Sequence, residues 1–393
     1  MDKALLNIDI QEFINNNLDS DVVSLLLKGT PFPSVETKAI IEQIEAKKRC
    51  KTKLPTWFTT GNIYYPNKLN IEQTSSEVTA KYKSELIDGD TIIDLTGGFG
   101  VDCLYFSQYF KLVIHCEINK ELSKIAAHNY NELKPNTILT VNNNGLEYLE
   151  ASKKRFDWIY IDPSRRHDSK GKVFFLKDCL PNIPKHLNAY FEKANNILLK
   201  TSPLLDLSVG LSELKHIKSI HVVALNNEVK ELLWILEKGY SDEITIETVN
   251  LKSNYKELFN FKLHAESHTD VNYSLPLKYI YEPNAAIMKS GAFNSISSRY
   301  KVFKLHKHSH LYTNEELIDF PGRRFRVEKI VPYNKKTLKK ESIYQANITT
   351  RNFPESVQQI RKRFDIKDGG NIFLFFTTNK SDSKIVVICS KIV

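Results

Sequence analysis

Short apolar runs recur through the middle of the chain, each followed by a stretch of helical spacing. Thr91-Ile92-Ile93, Leu112-Val113-Ile114-His115-Cys116, residues 137–141 and residues 156–161 are such runs. They are the length of strands and nearly continuous in hydrophobicity, as strands buried on both faces must be. Helices are expected to start at Val101 and near Leu146, and another over about 173–193. Further strands are expected at 197–199, 221–224 and 244–249, with a helix over 228–236 between the last two. Alternation of this kind predicts an α/β fold, a doubly wound Rossmann-like sheet, over residues 67–265.

The flanking regions have other patterns. Residues 1–66 read as a helical N-terminal region, with apolar positions at 22–27 and Ile40, Ile41 and Ile44 at helical spacing, before Pro55 interrupts. Beyond about 278, Arg324-Phe325-Arg326-Val327 and residues 343–349 alternate, Pro354 opens a helix through Phe364, and 372–377 and 385–389 read as a hairpin. This is an α+β unit.

The first strand runs into Asp94-Leu95-Thr96-Gly97-Gly98-Phe99-Gly100. Strand, glycine-rich turn and helix in that order cradle a nucleotide-like ligand, because the glycines let the backbone approach and the helix start offers free N–H groups. Glu117 ends the second strand, where a ribose would offer its hydroxyls. An adenosine-containing cofactor is therefore expected. A dinucleotide fingerprint needs a third glycine; counting from Gly98 and Gly100, that place is taken by Cys103.

Composition narrows the setting. The 393 residues are 41% hydrophobic and 26% charged, as in a soluble globular protein of two or three domains. No basic segment followed by a long apolar run suggests a signal peptide, and no apolar stretch approaches a membrane span. Five scattered cysteines without a Cys-x-x-Cys fit reduced thiols in a cytoplasm. The net charge of +9 is uneven: from Lys278 onward there are 22 Lys+Arg against 10 Asp+Glu, a balance of +12. A basic C-terminal region beside a near-neutral remainder points to a polyanionic partner.

Acidic-x-x-Gly-Gly-x-Gly at 94–100, Glu72-Gln73-Thr74-Ser75-Ser76-Glu77, Asn142-Asn143-Asn144-Gly145, and Asp162-Pro163-Ser164-Arg165-Arg166 after the fourth strand occur in the order found in class I S-adenosylmethionine-dependent methyltransferases. With Asn227-Glu228-Val229-Lys230-Glu231-Leu232, Tyr281-Glu282-Pro283-Asn284-Ala285-Ala286 and Ser309-His310-Leu311-Tyr312-Thr313, nearly the whole chain resembles the bacterial members that carry a small ferredoxin-like insert and a C-terminal THUMP-like domain. The resemblance implies division of the α+β unit into a linking domain, 266–322, and a C-terminal domain, 323–393. It also implies S-adenosyl-L-methionine as cofactor. Its site would comprise Gln73, Ser75, Asp94, Thr96, Gly97, Gly98, Gly100, Asp102, Glu117, Ile118, Asn144, Gly145 and Asp162, with Asn144 at the adenine amino group and the 72–77 segment over the methionine end. Asp162, Pro163 and Arg165 would lie at the transferring methyl. THUMP domains bind RNA, so the resemblance also implies methylation of a base in structured RNA, tRNA or rRNA.

Methyl transfer from a sulfonium is an in-line displacement that needs alignment more than strong acid or base, so one acidic residue that orients a nucleophile or takes its proton is adequate. Ser164 and Arg165 replace the proline and aromatic residue usual where exocyclic amines are methylated, although a guanidinium can also stack on a base or hold a phosphate. Residues 163–166 offer no cysteine for attack at a pyrimidine C6. Arg166, Arg323, Arg324, Arg326, Lys329, Arg361, Lys362 and Arg363, interleaved with Phe325, Tyr333 and Phe364, are candidates for RNA contact. His306-x-His308-x-His310 would put three imidazoles on one strand face, but no acidic or cysteine partner is evident, and no metal is expected. The alternatives are a methyltransferase for a protein or small molecule, an RNA-binding protein with a degenerate catalytic domain, and a nicotinamide-dependent oxidoreductase.

Overall fold

The computed structural model describes residues 1–135, 137–164 and 175–392 in full and Arg165 by its backbone alone. The chain is α/β and forms two compact units, residues 1–217 with 233–241, and residues 218–232 with 242–393. Among the described residues no helix is long and apolar enough to cross a membrane.

In the first unit five parallel strands lie in the order Ala194–Thr201, Phe156–Ile161, Thr91–Asp94, Leu112–Cys116, Ile138–Val141. Their central positions Ile92, Ile93, Val113, Ile159, Ile161, Leu198 and Leu199 are fully buried. Each such side chain contributes roughly 1.5–3 kcal/mol through burial. The order reverses beside Thr91–Asp94, which has the second strand on one side and the fourth on the other. Open α/β sheets bind ligands outside the carboxyl ends of their strands at such a reversal.

The N-terminal residues are helical, as their spacing predicts, with Val22–Lys28 capped by Asp21 and Thr37–Lys53 following. Pro55 ends that helix and opens Pro55–Thr59, where proline's missing N–H costs nothing. Side-chain amides brace this region internally and tie it to the rest of the unit. Gln43 clasps the backbone of Tyr65 at 2.7 and 2.9 Å, and buried Asn129 clasps that of Tyr64 at 2.9 and 2.9 Å.

One element corrects the expectation from the sequence. Residues 228–236, expected as a helix, are the strand Glu228–Glu237. It pairs off a two-residue turn at Asn226 and Asn227, whose φ angles of 51° and 68° suit the hairpin geometry that asparagine tolerates. Leu232, Leu233, Trp234 and Leu236 are all fully buried, so both faces are covered, which one face of a helix could not provide. The strand order here is Lys256–Lys262, Thr245–Leu251, Ile217–Leu225, Glu228–Glu237, with residues 228–232 of the last counted in the second unit and 233–237 in the first.

A second sheet of seven strands runs Phe303–Lys304, Tyr312–Asn314, Tyr279–Pro283, Gly322–Pro332, Lys384–Ile392, Ile372–Thr378, Asn347–Arg351. The expected hairpin is present as Ile372–Thr378 against Lys384–Ile392, and Ser356 caps the helix Val357–Phe364 with a full capping box. Residues 306–310 form a turn rather than a strand. His306 meets Asp382 at 2.9 Å, and His310 stacks on Phe293, so the three imidazoles do not share a face.

Candidate functional site

The glycine-rich turn leaves Thr91–Asp94 and enters the helix Val101–Phe106. Asp94 is buried and receives the Thr96 backbone N–H at 2.8 Å, the Thr96 hydroxyl at 3.1 Å and the Cys103 thiol at 3.3 Å. Cys103 thus fills the place where a dinucleotide site would need glycine. Burial pushes the Asp94 carboxyl up to about 7, despite the Thr96 hydrogen bonds that oppose it. Gly100, at φ 88°, caps the helix, and a Cβ there would lie 2.1 Å from the Tyr130 hydroxyl. Tyr130 donates back to the Gly100 carbonyl at 2.9 Å.

Glu117 reaches across the crevice mouth. It accepts the Gly98 N–H at 2.8 Å and the Asn119 N–H at 2.7 Å, which fixes its carboxylate between the turn and the next helix. A Cβ on Gly98, at φ 57°, would meet nothing closer than 3.7 Å, so the turn faces open space there. Ile118, next in sequence, is 70% exposed at the strand tip and offers an apolar face. Gly145 starts the helix Gly145–Ala151 so close to the turn that a Cβ would sit 2.3 Å from the Leu95 carbonyl oxygen. Asn144 caps this helix by accepting the Leu146 N–H at 3.0 Å, so part of its amide oxygen's capacity is spent on the fold.

Asp162 follows the fourth strand. Its N–H donates to the Thr96 hydroxyl at 2.7 Å, so Thr96 ties the first and fourth strand tips together. Its carboxylate pairs with Lys200, at the end of Ala194–Thr201. Lys200 was not among the residues expected from sequence, although a lysine closing the run Ile197-Leu198-Leu199 was a readable signal. Beneath the turn lies a second network that sequence reasoning found in part. Asp102 is paired with fully buried Lys83 at 3.1 Å and accepts from Ser75 at 2.9 Å and Tyr160 at 2.8 Å. Burial pushes the Asp102 carboxyl up, but the Lys83 and Lys200 ammoniums and these hydroxyls outweigh it and hold it below its usual value. Ser75 is therefore committed to Asp102 and Lys83.

Asp94, Thr96, Gly97, Gly98, Gly100, Glu117, Gly145 and Asp162 are joined around one crevice. Gln73, at the end of Lys68–Gln73, is exposed. Pro163 is half-buried; the Arg165 side chain and all of Arg166 lie outside the described residues.

In the second unit five of the seven basic side chains expected to contact RNA are engaged with carboxylates. Arg323 donates to Glu282 at 2.7 Å, Arg324 lies 3.7 Å from Asp319, and Lys329 pairs with Glu341 at 2.8 Å. Arg361 pairs with Asp368 and donates to the carbonyls of Ile366 and Ala346, while Arg363 meets Glu355 at 2.9 Å. Arg326 and Lys362 are exposed. Among the described residues no group of His, Cys, Asp and Glu could hold a metal ion.

Two family models match the chain, a ferredoxin-like domain at residues 279–321 and a THUMP domain-like family at residues 322–391. A search of curated proteins gave no match. Among solved structures, the crystal structure of a protein from Porphyromonas gingivalis W83, provisionally described as a methyltransferase, is 32% identical over 100% of both chains, with a TM-score of 0.89. An rRNA methylase from Streptococcus thermophilus matches at 11% identity over 41% of this chain and 94% of its own, with a TM-score of 0.31. A likeness at that level carries no weight for function.

Proposed function

The chain belongs to the family of class I methyltransferases that carry a ferredoxin-like and a THUMP-like domain, and from that premise we propose that it transfers the methyl group of S-adenosylmethionine to a base in structured RNA. One observation supports the cofactor above the others. At the sheet's point of reversal, an open glycine turn lies between two acidic strand tips, Glu117 and Asp162, with exposed Ile118 alongside. These residues suit an adenosine: Glu117 has acceptor capacity for ribose hydroxyls, Ile118 a face for the adenine, and Gly98 open space above the backbone. Asn144 and Gly145 would border the adenine edge, and Gly97, Gly100, Asp94 and Thr96 shape the turn. When bound, the cofactor supplies an electrophilic methyl.

The chain's own residues then have distinct tasks. Lys200 and the Thr96 hydroxyl hold Asp162 by its side chain and its N–H, which aims the carboxylate at the acceptor atom. Asp162 orients the nucleophile and takes its proton if one is released. Asp102, Ser75 and Lys83 support the turn from below rather than touching substrate. Arg165 and Arg166 would engage the acceptor strand.

RNA as the acceptor is supported by the THUMP-like match and the +12 balance from Lys278 onward. A cytoplasmic location fits five cysteines that are all free and buried. The test is mass spectrometry of nucleosides from total RNA with and without the gene, joined to calorimetry with S-adenosylhomocysteine and NAD. Loss of one methylated nucleoside and tight S-adenosylhomocysteine binding are expected. NAD binding without S-adenosylhomocysteine binding would overturn the cofactor. Unchanged nucleosides with S-adenosylhomocysteine bound would move the search for an acceptor to proteins and small molecules.

A further inference from the structure

Two sequence words that carry the family resemblance, 227–232 and 281–286, take no part in the crevice of the first unit. In the second unit they meet. The Asn227 side chain accepts the Ala285 N–H at 2.8 Å. Asn250 donates to Glu257 at 2.7 Å and receives the Asn227 N–H at 2.7 Å, and Asn284 donates to the same Glu257 oxygen at 2.8 Å. This amide network holds one wall of a cavity of about 200 Å³ lined by Asn227, Glu282, Pro283, Ala285, Met288, Arg323 and Arg351.

Charge in the cavity is unbalanced. Glu282 is 2% exposed and receives both arginines. Arg323 stands opposite it in the strand register and uses its Nε and one terminal nitrogen on one carboxylate oxygen. Arg351, closing the strand Asn347–Arg351, donates to the other at 2.8 Å. Two guanidiniums against one carboxylate leave one positive charge in excess. Each guanidinium has five N–H donors, so most of them are not spent on Glu282. The Nε of Arg351 is buried and has no hydrogen-bond partner. The Arg323 and Arg351 side chains are 39% and 33% exposed, so the excess charge is within reach of a ligand in the cavity. A ligand oxyanion would neutralise that charge through the terminal nitrogens not spent on Glu282. Side-by-side guanidiniums, prealigned by a shared carboxylate, match the oxygens of a phosphate. Met288, Pro283 and Ala285 add an apolar side on which a sugar or base could lie.

We propose that this cavity is a phosphate-binding site that holds a nucleotide phosphate between Arg323 and Arg351, with Glu282 as the residue that positions both. The phosphate can belong to a free nucleotide or to an RNA strand. The inference stands without the methyl-transfer reading, because it concerns a different unit and a different ligand group.

The experiment uses the full chain saturated with S-adenosylhomocysteine, or the chain alone if that ligand does not bind. Uridine monophosphate, uridine, orthophosphate and a ten-residue oligouridylate are titrated by calorimetry at low salt. A pyrimidine nucleotide avoids competition at an adenosine site. Uridine monophosphate is expected to bind at least ten-fold more tightly than uridine. Arg351→Gln and Arg351→Lys should each weaken it ten-fold or more, with S-adenosylhomocysteine affinity and melting temperature near those of the parent. Arg323 still pairs with Glu282 in both variants, which keeps the fold testable. Oligouridylate bound ten-fold more tightly than the monophosphate identifies an RNA strand as the source; equal affinities identify a free nucleotide. If no phosphate-bearing probe binds, or if both Arg351 variants bind like the parent, the proposal is wrong.

Discussion

At Asp94 two demands compete. The turn needs its carboxylate to accept three hydrogen bonds, and the core around it disfavours the charge. Burial wins and raises its pKa from about 3.8 to about 7. An aspartate with a raised native pKa adds stability below its unfolded value, and that stability is lost as pH rises toward 7. The effect is on the order of a few kcal/mol. Denaturant titrations at pH 5 and pH 7.5 should therefore show Asp94→Asn losing less stability over that interval than the parent; an equal loss would mean that Asp94 is ionised throughout. Glu117 and Asp162 separate binding from turnover. Glu117→Ala should weaken S-adenosylhomocysteine binding about ten-fold or more, since both the ribose partner and the Gly98 anchor go. Asp162→Ala should abolish methylation of the native acceptor with affinity for the cofactor product changed by less than about ten-fold. Calorimetry and single-turnover assays on both variants check this, and full turnover by Asp162→Ala would remove it from the reaction.

At the scale of elements, close approach decides what the turn tolerates. Gly145→Ala would drive a methyl into the Leu95 carbonyl and must push a helix start away from the first strand. Gly100→Ala meets Tyr130 and a left-handed backbone at once. Each should cost about 1–3 kcal/mol in urea unfolding. The sheet of the first unit was legible because its strands are buried on both faces and read as apolar runs. The turn, Glu117 and Asp162 were legible because strand tips mark the crevice. Residues 228–236 misled because glutamate, lysine and leucine favour helices in isolation, whereas the Asn226-Asn227 turn and burial on both faces override that preference. Lys83 and Tyr160 could not be read at all: they meet Asp102 only after a helix and a strand far apart in sequence have packed.

For the molecule as a whole, net charge does not say which cations are available. The +12 balance already subtracts the carboxylates that tie down Arg323, Lys329, Arg361 and Arg363, so the excess rests on other side chains, and composition is blind to which. If the second unit docks RNA, exposed Arg326 and Lys362 should carry more of the salt dependence than Arg361. Changing Arg326 and Lys362 together to alanine should flatten the plot of log affinity against log salt by up to about two, roughly one for each phosphate no longer neutralised. Arg361→Ala should lower the melting temperature instead, since it frees two carbonyls and Asp368. Filter binding of tRNA and rRNA fragments at several salt concentrations separates the two outcomes.

The pairing of Tyr279–Pro283 with Gly322–Pro332 has a further consequence. The ferredoxin-like and THUMP-like matches meet at residues 321 and 322, yet the hydrogen-bond ladder runs straight across that seam. Cutting the chain there would bare a row of unpaired N–H and C=O groups on each fragment, the template on which strands from separate molecules join. Expressed apart, the halves should precipitate or pair with themselves; mixed, they should recover by finding each other. Recombination at that seam would be punished in the same way, so the two matched segments can be exchanged between proteins only together.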